Sequence, residues 1–247
     1  MRFLKNIFRP KPTQSFTDFS WIGTDIHSHL IPGIDDGAKD MDNTMDMIKG
    51  LRDLGFSQVI TTPHVLMEYY PNTTETITMG GEKVKAALAE KRLDISFNYA
   101  AEYFLDDHFE ELVEKEDLLT IGEKHLLFEL SFFEPPRQLR EVIFNLKVKG
   151  YHPILAHAER YVFWEKDLDK FRELVEAGCS LQLNLLSVIG HYGPNVEKMA
   201  KSLLKEKLYA FAGTDVHRME HVDKLKNGLV NGDFGILEGY EFRNSTV

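Results

Sequence analysis

Three times in this chain an amphipathic stretch ends in glycine and runs directly into a short β-branched or aromatic segment: MDMIKGLRDLG into FSQVITTPH, REVIFNLKVKG into YHPILAH, and FRELVEAG into CSLQLNLL. In the first, Met41, Met45, Ile48, Leu51 and Leu54 recur at helical spacing, and Gly55 stands where a left-handed C-cap belongs. A helix followed at once by a strand, repeatedly, is the pattern of parallel strands joined by crossover helices. Extended along the chain, it places strands near 22–27, 57–63, 95–101, 125–130, 152–157, 180–184 and 208–213. Helices are expected near 40–54, 75–91, 106–115, 137–148, 167–177 and 195–206, the second weakened by the adjacent Gly80 and Gly81. About seven βα units without a linker predict an α/β barrel, closed or nearly so, with any active site at the C-terminal ends of its strands. The expected organisation is a basic and apolar arm over 1–20 and one barrel domain over 21–247.

Those strand ends carry His27 and His29, then His64, Glu102, Glu129, His157, and finally Asp215 with His217. Taken singly, a strand-end histidine is usually a hydrogen-bonded loop residue and a strand-end carboxylate often caps the next helix. Taken together, five imidazoles and three carboxylates at one barrel mouth have no stability rationale, because the carboxylates repel and need cations to compensate them. Alternation along an extended backbone puts His27 and His29 on one side, and likewise Asp215 and His217, so each pair can grip one ion. His125 and His152 begin strands at the opposite end, His108 and His221 are expected on surface segments, and His191 in the GHYG loop is ambiguous.

Composition narrows the chemistry. The formal net charge of −10 argues against a nucleic-acid partner. A single cysteine, Cys179, excludes an intramolecular disulfide and a thiolate zinc site, and points to a reducing cytoplasm. It also excludes a thiol-based tyrosine phosphatase, since Leu185 stands where a Cys-x5-Arg phosphate loop requires arginine. Histidines and carboxylates without thiolate suit zinc, manganese or iron better than calcium or magnesium. No apolar run reaches the roughly 18 residues of a membrane span. In the arm, Arg2, Lys5, Arg9 and Lys11 surround Phe3, Leu4, Ile7 and Phe8. A solvated segment that partly packs on the domain is the commoner reading, and weak attachment to an anionic membrane through residues 1–12 the rarer one.

In this order HSH, TPH, AAE, FEL, AHAER and TDVH resemble the PHP (polymerase and histidinol phosphatase) superfamily, from about Thr24 to about His217. More narrowly, HSHLIPGIDDGA with FELS and AHAERY is similar to the bacterial PHP-type protein-tyrosine phosphatases of capsule and exopolysaccharide synthesis. The resemblance implies a distorted (β/α)7 barrel holding three divalent metals, manganese favoured, with iron or zinc as alternatives. It implies that His27, His29 and Asp215 bind the first, that Glu102 bridges to the second, and that Glu129 and His157 complete the second. The third falls to His64, His217 and an aspartate of IDDG. Spacing does not choose between Asp35 and Asp36, and the match points to Asp36. Arg160 matches a phosphate-binding arginine and, with Asp215 and His217, forms the implied catalytic set. Arg218 is carried as a second substrate-binding arginine, although it adjoins His217 and the following MEHVDK departs from the family pattern.

The activity implied is hydrolysis of phosphotyrosine by hydroxide generated at the metals, with a phosphotyrosine protein, such as a bacterial tyrosine kinase, as partner. Aromatic residues and Arg137 in SFFEPPRQ, with Tyr69 and Tyr70 in MEYYPNT, would receive the phosphotyrosine segment. The alternatives are a small-molecule phosphoesterase such as a histidinol-phosphate phosphatase, which shares the metal motifs, and a non-catalytic metal-binding module.

Overall fold

The computed structural model describes residues 16–165 and 167–247, so the stretch at 1–12 and its membrane reading lie outside the described residues. Every expected strand forms. The segments are β1 (Thr24–Asp25), β2 (Gln58–Thr61), β3 (His64–Val65), β4 (Ser96–Tyr99), β5 (Glu102–Phe104), β6 (His125–Glu129), β7 (His152–Leu155), β8 (Ser180–Asn184) and β9 (Tyr209–Gly213). Two of the breaks fall inside single extended runs. Between β2 and β3 stands Pro63, which has no N–H to give a ladder, although its carbonyl still accepts from Glu102 N at 3.0 Å. Between β4 and β5 lie Ala100 and Ala101. The segments therefore make seven passes of chain.

All the ladders are parallel, in the orders β1-β2-β4 and β3-β5-β6-β7-β8-β9. The first and last passes meet through a parallel bridge between Ser28 and Val216, with Asp215 N donating to His27 O at 2.7 Å and His29 N to Val216 O at 2.9 Å. Below this seam the buried Asp25 carboxylate accepts from Thr214 N at 2.9 Å and Thr214 Oγ1 at 2.7 Å. The architecture is a distorted (β/α)7 barrel. Ile26, Ile60, Ala100, Leu127, Ile154, Ala156 and Phe211 fill its interior, and the larger core lies between strands and helices.

The helices are α1 (Met41–Asp53), α2 (Thr74–Lys91), α3 (Asp107–Lys115), α4 (Leu139–Val148), α5 (Asp169–Glu176), α6 (Leu185–Val188), α7 (Pro194–Lys205) and α8 (Met219–Asn231). α2 runs unbroken through its two glycines because packing demands them. A Cβ at Gly80 would lie 2.3 Å from Ile31 Cγ2, and one at Gly81 would lie 2.2 Å from the Tyr99 ring. Close approach here outweighs the helix-propensity cost of roughly 1 kcal/mol per glycine. α6 and α8 were not expected. α8 buries His221, Val222, Leu225, Gly228 and Leu229, a helical stripe within MEHVDKLKNGLVN that the departure of MEHVDK from the family motif had obscured. His221, expected on the surface, is thereby a buried residue. The last residues assigned to the arm also belong to the barrel: Phe19 is fully buried, with its ring 5.6 Å from that of Phe56 and edge-on to Phe234 at 5.0 Å. Among the described residues no helix is long and apolar enough to cross a membrane.

Cys179 begins the β8 pass behind Gly178 and is 2% exposed, and burial pushes its thiol up to about 12. Thiolate, the reactive form, is negligible near neutral pH. Iodoacetamide at pH 7.5 is therefore expected to leave the native protein unmodified and to label it once unfolded in urea, read by intact mass.

Candidate metal centre

The parallel barrel brings its strand ends to one mouth, and register decides which side chains meet. His64 on β3 is the direct partner of Glu102 on β5. Glu102 becomes the centre of the cluster. Its Oε2 lies 3.2 Å from His27 Nε2, 3.5 Å from His29 Nε2 and 3.1 Å from His64 Nδ1, and its Oε1 lies 3.0 Å from His157 Nε2. The side chain is fully buried, yet neither oxygen has a hydrogen-bonding partner. His64 Nδ1 is also buried without one, and lies 3.1 Å from Glu129 Oε1. A buried carboxylate facing imidazole lone pairs is strongly unfavourable unless cations lie between them. The donor set therefore fits divalent metal ions.

Atoms that could share an ion fall into overlapping groups, each within 4.8 Å: His29, Asp36, His64 and His217; His27, His29 and Glu102; His27, His157 and Asp215; and His64, Glu102 and Glu129. The structure thus brings all nine expected ligand residues together, but as a continuous cluster rather than separate triads. His64 faces two ways, with Nδ1 toward Glu102 and Glu129 and Nε2 3.6 Å from Asp36 Oδ1. His157 approaches Glu129 Oε2 at 3.7 Å.

Contacts behind the cluster aim the rings. His27 Nδ1 meets Gln182 Oε1 at 3.0 Å, His29 Nδ1 meets Asp35 Oδ2 at 2.7 Å, and His217 Nδ1 meets Asp215 O at 2.9 Å. An acceptor at each Nδ1 puts the proton there and turns the Nε2 lone pair toward the cluster. Asp35 and Asp36 consequently differ in kind. Asp35 is buried and also accepts from Gly37 N at 3.0 Å and His64 N at 3.2 Å, which ties the loop to two histidines. Asp36 is half exposed, with Oδ1 3.4 Å from His217 Nε2. The loop returns so tightly that a Cβ on Gly37 would lie 2.2 Å from His29 O and 2.5 Å from His29 Cβ.

Asp215 Oδ1 faces His27 at 3.4 Å, His29 at 3.5 Å and His217 at 3.4 Å, while Oδ2 accepts from Asn184 Nδ2 at 2.8 Å and Tyr192 OH at 3.3 Å. Arg160 reaches the same Oδ2 at 3.5 Å, its guanidinium held between the rings of Phe132 (4.3 Å) and Tyr192 (4.4 Å). His157 and Asp215 have left-handed backbones, φ 33° and 52°, in which branched or bulky residues are strained. Gln182 Oε1 accepting from His157 N at 2.8 Å and His27 O accepting from Asp215 N hold them there.

Electrostatics follow from this crowding. Burial pulls the His27 imidazolium down, but Glu102 and Asp215 outweigh it and carry it to about 10. Burial opposes ionisation of Glu102, yet His27 and His64 hold it well below the ordinary range. In the absence of metal, protons supply the positive charge, so metal binding and proton release are linked. His221 differs: burial first, then His217, push it down to about 4.

Several of these residues escaped sequence reasoning. Tyr192, Asn184 and Gln182 act on ligands from behind, and nothing local in the sequence marks such a role; Asp35, an alternative ligand by spacing, joins them by bracing His29. His191 lines the 440 Å³ mouth cavity, as do Tyr69, Tyr70, Phe132, Phe133 and Arg218. Arg137 is not among the lining residues.

A seven-pass parallel βα barrel with a histidine and carboxylate cluster at its C-terminal mouth defines a barrel whose mouth fits a metal centre. Residues 23–227 match the capsular polysaccharide synthesis family CpsB/CapC, and the chain belongs to that family. It is 28% identical to the tyrosine-protein phosphatase CpsB of Streptococcus pneumoniae, over 79% of this chain and 83% of that protein. It is 26% identical to the tyrosine-protein phosphatase YwqE of Bacillus subtilis (strain 168), over 79% and 78%. In fold it superposes, with TM-score 0.76 and 23% identity over 89% of this chain and 96% of the other, on a chain from the crystal structures of YwqE from Bacillus subtilis and CpsB from Streptococcus pneumoniae, described there as metal-dependent tyrosine phosphatases. A histidinol phosphate phosphatase from Lactococcus lactis, complexed with zinc, L-histidinol and phosphate, shares the fold more distantly, with TM-score 0.52 and 12% identity over 89% and 94% of the two chains.

Glu102→Gln is expected to remove at least one bound metal per chain, measured by elemental analysis of the folded protein. Gly37→Ala is expected to cost about 1–3 kcal/mol in urea unfolding through overpacking and to weaken metal binding as the Asp35–Asp36 loop shifts. Asp35→Asn is expected to lower metal affinity about 10- to 100-fold by misaiming His29, with the stoichiometry at saturating metal retained.

Proposed function

We propose that this chain is a metal-dependent protein-tyrosine phosphatase. The observation that carries the reading is the clamped guanidinium of Arg160 beside a Glu102-centred cluster, whose members Asp36, His64, Glu129, His157, Asp215 and His217 line the same aromatic-walled cavity as Arg160. Three ions, manganese favoured, are assigned to His27, His29, Asp36, His64, Glu102, Glu129, His157, Asp215 and His217. When bound, divalent cations supply Lewis acidity and an acidified water as nucleophile.

The chain's own residues do the rest. Arg160, fixed in plane by Phe132 and Tyr192, offers paired N–H donors to phosphoryl oxygens and offsets the charge that builds on them. Asp215, gripped on one oxygen by Asn184 and Tyr192, keeps the other aimed at His27, His29 and His217. Tyr70, stacked 5.4 Å from His64, joins Phe132 in walling the cavity where an aryl ring would lie. Phenol, with a pKa near 10, leaves more readily than an aliphatic alkoxide, so strong general-acid help is unnecessary. The partner is a phosphotyrosine protein, and the family's place in capsular polysaccharide synthesis favours a bacterial tyrosine kinase.

The rival, histidinol phosphate, offers an alkoxide leaving group and no phenyl ring for these walls. Chelation followed by metal add-back is expected to abolish and restore hydrolysis of a phosphotyrosine peptide, while thiol alkylation leaves it intact. Arg160→Ala is expected to lower kcat/KM by about 100-fold, typical for loss of one charge-stabilising donor. Activity surviving in metal-stripped protein would sink the metal mechanism, and faster turnover of histidinol phosphate than of the peptide would reverse the substrate assignment.

A further inference from the structure

Beyond Arg160, basic side chains gather on one wall of the mouth cavity. Arg218, at the N-cap of α8, is exposed and lines the cavity together with His191 and His221. Its Nε donates to His221 Nε2 at 3.1 Å, which leaves both Nη groups without a carboxylate partner among the described residues. His191 lies with its ring 5.0 Å from that of His221, and its Nδ1 accepts from Lys224 Nζ at 3.0 Å. With Nδ1 accepting, the proton of a neutral His191 sits on Nε2, which makes this cavity-lining residue a donor. Lys224 itself pairs with Glu220 at 2.5 Å one turn back. His221 braces the backbone of the cluster, with Nδ1 3.3 Å from both His217 N and Asp215 O, but among the described residues neither Arg218 nor His191 makes a hydrogen bond or ion pair with a cluster side chain. The N-terminus of a helix carries partial positive charge, so Arg218 is on the unfavourable end for a cation. The lining from 66–70 and 131–133 is different, with Glu68 its acid among Tyr69, Tyr70, Phe132 and Phe133.

We infer that Arg218 and His191, with Lys224 positioning His191, form a subsite for a second negative charge on the substrate: an acidic side chain next to the phosphotyrosine. This rests on the phosphatase reading and makes it more specific. Arg160 and the metals take the phosphoryl group, while Arg218 and His191 select among phosphotyrosine segments by charge. The subsite contributes through binding and encounter, so its effect falls on KM and weakens with salt.

The test uses the metal-loaded full chain and two phosphotyrosine peptides identical except for Glu or Gln at the flanking positions. At low ionic strength the Glu peptide is expected to show about fivefold higher kcat/KM, through KM, as for a part-exposed ion pair of about 1 kcal/mol. Arg218→Gln is expected to bring the ratio to about one, Arg218→Lys to restore part of it, and Lys224→Gln to reduce it. The ratio is taken within each variant and is therefore independent of metal loading and folded fraction. Equal hydrolysis of the two peptides by the wild-type chain overturns the subsite and leaves the phosphatase reading standing. A preference that persists in Arg218→Gln likewise overturns it, and hydrolysis of neither peptide overturns both.

Discussion

Everything at the barrel mouth is arranged around one carboxylate. Glu102 is fully buried, hydrogen-bonds to nothing, and has imidazole nitrogens on both oxygens. A group of that kind is tolerable only when positive charge reaches it. The parallel ladder meets the need geometrically: register sets His64 beside Glu102, the bridge at Ser28 and Val216 carries His27 and His29 across from the first pass, and His157 arrives from the end of β7. The seam between first and last passes thus serves the barrel and its chemistry together.

Around that centre runs a ring of groups whose work is orientation. Gln182, Asp35 and the Asp215 carbonyl choose the tautomers of His27, His29 and His217, and Asn184 and Tyr192 hold one oxygen of Asp215 so that the other is presented inward. The left-handed backbones at His157 and Asp215 are held by the same set of contacts, since Gln182 Oε1 accepts from His157 N and His27 O from Asp215 N. Tyr192 links the two halves of the machinery, touching Asp215 with its hydroxyl and Arg160 with its ring.

The cluster was legible in the sequence because so many metal-binding side chains coincide at the ends of strands whose starts the helix-ending Gly55, Gly150 and Gly178 mark. The outer shell was not. Asp35 and Asp36 are neighbours of the same chemistry, and only three-dimensional partners separate a residue that braces His29 from one that faces His217 and His64. Asn184, Gln182 and Tyr192 are ordinary polar residues whose roles depend on contacts 23 to 155 positions away in the chain. In the fold, the apolar stripe of α8 is present in the sequence as Val222, Leu225 and Leu229, but Gly228 and the polar MEHVDK start dilute its helical signal. The glycines of α2 read as weakness because what they make room for, Ile31 and Tyr99, comes from other passes.

The loop that carries Asp35 and Asp36 is wedged in place by carbon contacts: Gly37 lies flat against His29, and Gly80 admits Ile31. Its shape is therefore set by packing and by the hydrogen bonds that Asp35 accepts from Gly37 N and His64 N. A loop fixed in this way presents the half-exposed Asp36 carboxylate to His217 and His64 from a rigid frame. Since imidazole and carboxylate by themselves discriminate weakly among first-row divalent metals, any preference among ions has to be built into that frame rather than into the choice of ligand.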